Sequence, residues 1–119
     1  MKILYIEDSE LDFKLMHTYC DIINDGVELT HARSKEEAEA YLDGGEYDLV
    51  LSDMMLTGDS GVEVINQLIA KFGKIKYAIV SCISDDEEVR RALPDAISYV
   101  HKPNSVGDVR LMLNKWRES

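Results

Sequence analysis

Four short apolar runs in this chain each give out on a polar or charged side chain. Lys2-Ile3-Leu4-Tyr5-Ile6 is followed by Glu7-Asp8, Asp48-Leu49-Val50-Leu51-Ser52 by Asp53, Tyr77-Ala78-Ile79-Val80 by Ser81, and Ile97-Ser98-Tyr99-Val100 by His101-Lys102-Pro103. Three carboxylates gathered in one place make an oxygen-rich site for a hard divalent cation. A lysine and a hydroxyl beside them suit a phosphoryl group, as point charge and hydrogen-bond donor. As a set they point to magnesium-dependent chemistry on a phosphate. Singly, each has a plainer reading. Glu7-Asp8 suits the start of a helix through the helix dipole. Asp53 reads as a loop acid, Ser81 as a turn residue and Lys102 as a solvated charge. Tyr99 on a β-rich run reads as core. His17, His31 and His101 show no metal-ligand spacing.

The joint reading needs a fold that brings these four run-ends to one rim. The runs are short, β-rich and separated by helical periodicity, the pattern of parallel strands joined by crossover helices. Leu11, Leu15, Tyr19 and Ile22 recur at helical spacing, with Gly26 as a stop, and residues 27–32 read as a second strand. Ser34-Lys35-Glu36-Glu37 is a capping box for a second helix, which stops at Gly44-Gly45. A loop with Gly58 and Gly61 leads into a third helix bearing Val62, Val64, Ile65, Leu68 and Ile69 and ending near Gly73. Ser84-Asp85-Asp86-Glu87 is a second capping box, for a short helix that must stop before Pro94. The last helix is expected over residues 104–117, with Val106, Val109, Leu113 and Trp116 on one face. Five strands and five helices predict an α/β fold: a flavodoxin-like, doubly wound, five-stranded parallel sheet in the order 2-1-3-4-5. Ligands of such sheets bind outside the carboxyl ends of the strands, and this order makes strands one and three neighbours at the switch point. Glu7-Asp8 and Asp53 should therefore meet.

At 119 residues the chain is expected to be one domain, 1–119, and 45% hydrophobic residues suffice for a core. No apolar stretch reaches the roughly 20 residues that span a bilayer. The chain opens on a strand rather than a signal run, and Cys20 and Cys82 read as buried free thiols, which fits a cytoplasmic protein without a membrane partner. A net charge of −10 argues against direct nucleic-acid binding and suits a bound cation or a basic partner.

The chain resembles the receiver domain of two-component response regulators over its whole length. The matching pieces are Glu7-Asp8; Asp53 in Leu51-Ser52-Asp53-Met54-Met55-Leu56; Gly61 and Glu63; Ser81; and Tyr99 three residues before Lys102-Pro103. The resemblance implies that Asp53 takes a phosphoryl group from a histidine kinase or phosphotransfer protein. It implies Mg2+ held by Glu7, Asp8, Asp53 and the backbone carbonyl of Met55, with Ser81 and Lys102 on the phosphoryl oxygens. It implies a switch through Ser81 and Tyr99, read by an effector on the face of helix four, strand five and helix five. Such a domain is a signalling phosphoacceptor, not an enzyme acting on other molecules. Met55 and Ile83, apolar on the water route, lead to the expectation of a long-lived phosphoryl group.

Some positions depart from the family pattern: Thr57 where proline is commonest, Cys82 where a small residue is usual, and Asp95 for a common glycine. Three other functions compete. A phosphohydrolase with an aspartyl nucleophile usually carries it at the end of strand one, with a second aspartate two residues on; here that strand ends Glu7-Asp8-Ser9. A flavin or nucleotide binder needs a Gly- or Ser/Thr-rich phosphate loop there. A receiver-like docking module working without phosphorylation would not need Asp8, Asp53, Ser81 and Lys102 together. The chain is expected either to act by docking, with no effector domain after Trp116, or to be a receiver cut from a longer regulator or hybrid kinase.

Overall fold

The computed structural model describes residues 1–56, 59–81 and 87–119. Five strands form one parallel sheet: β1 Lys2–Ile6, β2 Glu28–Ala32, β3 Leu49–Asp53, β4 Tyr77–Ser81 and β5 Tyr99–His101. They alternate with α1 Glu10–Ile23, α2 Lys35–Gly44, α3 Gly61–Phe72, α4 Glu87–Ala92 and α5 Val106–Glu118. The sheet order is β2-β1-β3-β4-β5, the expected flavodoxin-like arrangement. One small element was not expected: Met55–Leu56 pairs antiparallel with Asp59–Ser60 outside the main sheet.

The sheet is covered on both faces, so its strands carry continuous apolar runs rather than alternation. Alternate residues feed two separate cores. Leu4, Ile6, Val50, Tyr77 and Ile79 pack with Ala38, Val64, Ile65, Leu68, Val89 and Leu93, which belong to or follow α2, α3 and α4. Ile3, Tyr5, Leu49, Leu51, Ala78 and Val80 pack with Met16, Cys20, Val109, Met112, Leu113 and Trp116 of α1 and α5. Each large side chain so buried contributes ~1.5–3 kcal/mol.

Helix starts follow from side-chain caps. Ser34 Oγ accepts from Glu37 N at 3.2 Å, as its capping box predicts. Ser9, Ser60 and Ser105 cap α1, α3 and α5 in the same way. α1 ends before Gly26: Asn24 takes the left-handed conformation (φ 50°) and its N–H returns to the Cys20 carbonyl. The buried face of α1 also differs from the stripe of Leu11, Leu15, Tyr19 and Ile22. Met16 and Cys20 are buried, while Leu11, Leu15 and Ile22 are exposed. Two apolar stripes compete on that helix, and the one that meets α5 and the sheet is buried. β5 begins at Tyr99, later than the apolar run starting at Ile97, and α5 begins at Val106 rather than at 104. Thr57, Gly58, Cys82, Ile83 and the Ser84-Asp85-Asp86 part of the second capping box lie outside the described residues.

Candidate functional site

Register carries the run-ends to one rim. In the β1–β3 pair Ile6 stands opposite Ser52, so Glu7 comes level with Asp53. Asp53 pairs with Val80, and Ser81 with His101, which sets Lys102 just past Ser81. The ladder extends beyond the strands: Glu7 N donates to the Ala32 carbonyl (2.9 Å), Met54 N to Val80 (3.0 Å) and Lys102 N to Ser81 (2.8 Å). His31 donates from Nε2 to the Glu7 carbonyl at 2.6 Å and stacks on Phe13 of α1, centroids 4.0 Å apart. These contacts fix the backbone under the acid pair.

Strand parity decides which side chains meet. Glu7 and Asp53 continue the positions that face α1 and α5, after Ile3 and Tyr5 and after Leu49 and Leu51. Ser81 and Tyr99 share the other parity; Tyr99 packs against the core beneath α3 and α4. Carboxylate oxygens of Glu7, Asp8 and Asp53 lie within 4.8 Å of one another. Glu7 is fully buried and Asp53 nearly so, while Asp8 is more open to solvent. Lys102 Nζ reaches Glu7 Oε1 at 3.1 Å and Asp53 Oδ2 at 3.2 Å. Met55 N approaches Asp53 Oδ1 at 3.3 Å.

A third partner of Lys102 was missed in the sequence. Asp12 Oδ2 lies 2.6 Å from Lys102 Nζ, its shortest carboxylate contact. The signal was there: Ser9-Glu10-Leu11-Asp12 caps α1, and α1 covers the face toward which Glu7 and Asp53 point.

The electrostatics follow from burial and crowding. Burial first, then the neighbouring Asp53, pushes the Glu7 carboxyl up to about 9. Burial alone would lower Lys102, but hydrogen bonds to Asp12 and Glu7 outweigh it and raise the ammonium above its usual range. Lys102 holds the Asp12 carboxyl below its usual value. Glu7 Oε2 is buried, and among the described residues no hydrogen-bond donor reaches it. A buried carboxylate oxygen without a donor, beside two further carboxylates, fits a hard cation that takes oxygen ligands.

Ser81 is buried at the end of β4. Tyr99 is half-buried; its hydroxyl donates to the Leu93 carbonyl, and Arg90 lies 4.5 Å from its ring centroid. Gly61 starts α3 hard against β3, donating to the Met54 carbonyl at 2.7 Å. Met55 presents its side chain to solvent. Cys20 is buried and its thiol is pushed up to about 11 by burial. Among the described residues no helix is long and apolar enough to cross a membrane.

Known proteins share this fold. The response regulator receiver domain model matches residues 3–114. Response regulator protein VraR of Staphylococcus aureus is 28% identical over 110 residues, 92% of this chain and 53% of that protein. The chain thus spans about half the length of the curated relatives it matches. Response regulator protein TrrA from Thermotoga maritima, in complex with Mg(2+)-BeF, aligns with a TM-score of 0.77 at 26% identity over 97% of each chain. Another response regulator from Thermotoga maritima reaches a TM-score of 0.83 at 21% identity, covering 99% of this chain and 98% of that one, a likeness of fold. With the family match running through β1, β3, β4 and β5, and so through the rim positions Glu7, Asp8, Asp53, Ser81 and Lys102, the chain belongs to the response regulator receiver domain family.

Proposed function

We propose that residues 1–119 act as one receiver domain that takes a phosphoryl group onto Asp53 and passes the signal on by changing a docking face. The observation that carries this reading is the contact of Lys102 with Asp53 inside a cluster of Glu7, Asp8 and Asp53 at the switch-point rim. In the reaction an Asp53 carboxylate oxygen bonds to phosphorus in line with the leaving group. The N–P bond of a kinase phosphohistidine breaks, and the imidazole leaves with its electron pair. Lys102 offsets charge on the phosphoryl oxygens, and Ser81 donates to one of them. Glu7, Asp8, Asp53 and the Met55 carbonyl are proposed to hold Mg2+, which supplies charge neutralisation on the transferring group. That a Thermotoga relative is described in complex with Mg(2+)-BeF supports this choice of ion.

Transfer is positioning and electrostatics, so the domain is a signalling acceptor that promotes its own phosphorylation and dephosphorylation. Its donor would be a sensor histidine kinase or phosphotransfer protein, in the cytoplasm. Ser81 and Tyr99 are proposed as the switch, acting on the face of α4, β5 and α5, where Tyr99 already links β5 to the end of α4. Asp8, Asp53, Ser81 and Lys102 are all present, which favours this reading over docking without phosphorylation.

The test is intact mass after incubation with a small phosphodonor and magnesium. Wild type should gain one phosphoryl group, stable in acid and labile in base, with a change in the tyrosine spectrum that Tyr99→Phe removes. Asp53→Asn should gain none. Equal labelling of Asp53→Asn would reject Asp53 as the acceptor. Slow loss of the label after donor removal is expected if the exposed apolar Met55 screens the site, and faster loss in Met55→Asn.

A further inference from the structure

Building on the function proposed above, we propose that Asp12 is a positioning residue that draws Lys102 away from the acceptor and so opposes anion binding at Asp53. Lys102 has three carboxylate neighbours, and the shortest contact, 2.6 Å, goes to Asp12 rather than to Glu7 (3.1 Å) or Asp53 (3.2 Å). Asp12 is not one of the three clustered carboxylates. A cation held by Glu7, Asp8 and Asp53 would occupy the oxygens that Lys102 now shares, and leave Asp12 to the ammonium. The backbone of Asp12 is pinned in the first turn of α1 by its N–H to Ser9 Oγ at 3.2 Å. A cavity of about 30 Å³ beside the pair, lined by Tyr5, Asp12, Leu15, Met16, Lys102 and Pro103, gives the lysine head room on this side. Lys102 is 15% exposed and Asp12 37%, so solvent screens this pair in part, less than a pair exposed at both ends. A phosphoryl oxygen on Asp53 and the Asp12 carboxylate therefore compete for one positive charge.

The competition predicts opposite shifts for two probes. Mg2+ alone should bind Asp12→Asn more weakly, because one negative charge is lost and Lys102 turns back onto Glu7 and Asp53. Beryllofluoride at saturating Mg2+ should bind Asp12→Asn more tightly, by roughly tenfold. Calorimetric titration of each probe, with a thermal melt of each variant, reads both. Asp12→Glu keeps the charge and should behave as wild type. In a Lys102→Met background the gain from Asp12→Asn should disappear. Loss of affinity for both probes, no change for beryllofluoride, or an equal gain without Lys102 would each overturn the role of Asp12. Failure of wild type to bind beryllofluoride with Mg2+ would instead reject the acceptor function itself.

Discussion

Glu7 shows what crowding does to one side chain. Its carboxyl group is pushed up to about 9, whereas an unfolded glutamate titrates near ~4.3. Between those values the folded chain holds a proton that the unfolded chain has lost, so without metal the fold loses stability as pH rises. Binding a cation requires that proton to leave, so Mg2+ affinity should rise with pH toward about 9. Melting curves in chelator at pH 6 and pH 8.5 should show a drop of ~5 °C or more, and added Mg2+ should restore more stability at the higher pH. Glu7→Gln should flatten both trends. A chelated wild type with no pH dependence would contradict this account of Glu7. Much of the site could be read from the sequence, because Glu7, Asp8, Asp53, Ser81 and Lys102 each follow an apolar run. Asp12 could not be read so easily, because it lies inside a helix turn and joins the site only through the way α1 packs.

Elements whose period matched one burial pattern were legible. β3 and β4 are buried at every position, and their apolar runs mark them directly. α3 carries one dominant apolar stripe, and the expected Val64, Ile65 and Leu68 are indeed buried. α1 carries two stripes, and spacing alone favours the one whose Leu11, Leu15 and Ile22 face solvent while Tyr19 packs on the core. The start of β5 was misread because Ile97 and Ser98 are buried or half-buried without extending that strand; Ser98 instead accepts from Trp116 Nε1 at 2.8 Å. Gly61 links an element to the site. A Cβ there would collide with the Asp53 carbonyl oxygen and lie 2.9 Å from Met54 Cα, both backbone atoms that cannot swing aside. Gly61→Ala should therefore cost ~1–3 kcal/mol in urea unfolding and slow phosphoryl acceptance by displacing Asp53. A change within ~0.5 kcal/mol would mean that α3 can shift freely without disturbing the site.

Taken whole, the molecule separates two groups of residues by the two-residue period of its strands. Glu7 and Asp53 continue the positions facing α1 and α5, where Asp12 and Lys102 meet them. Ser81 and Tyr99 lie on the opposite parity, toward α3 and α4, where Tyr99 engages Leu93 and Arg90. The phosphoryl chemistry proposed for one face would reach the other through the strand ends, which suits a domain that converts a covalent event into a change of docking surface. The central claim is that Asp53 is the residue that carries the phosphoryl group. An acyl phosphate is reduced by borohydride, which leaves homoserine in place of the aspartate. Borohydride treatment after incubation with a small phosphodonor, followed by peptide mapping, should find homoserine at position 53 alone, and only when Mg2+ was present. Homoserine at another aspartate, or none in a protein that has gained a phosphoryl mass, would contradict the account.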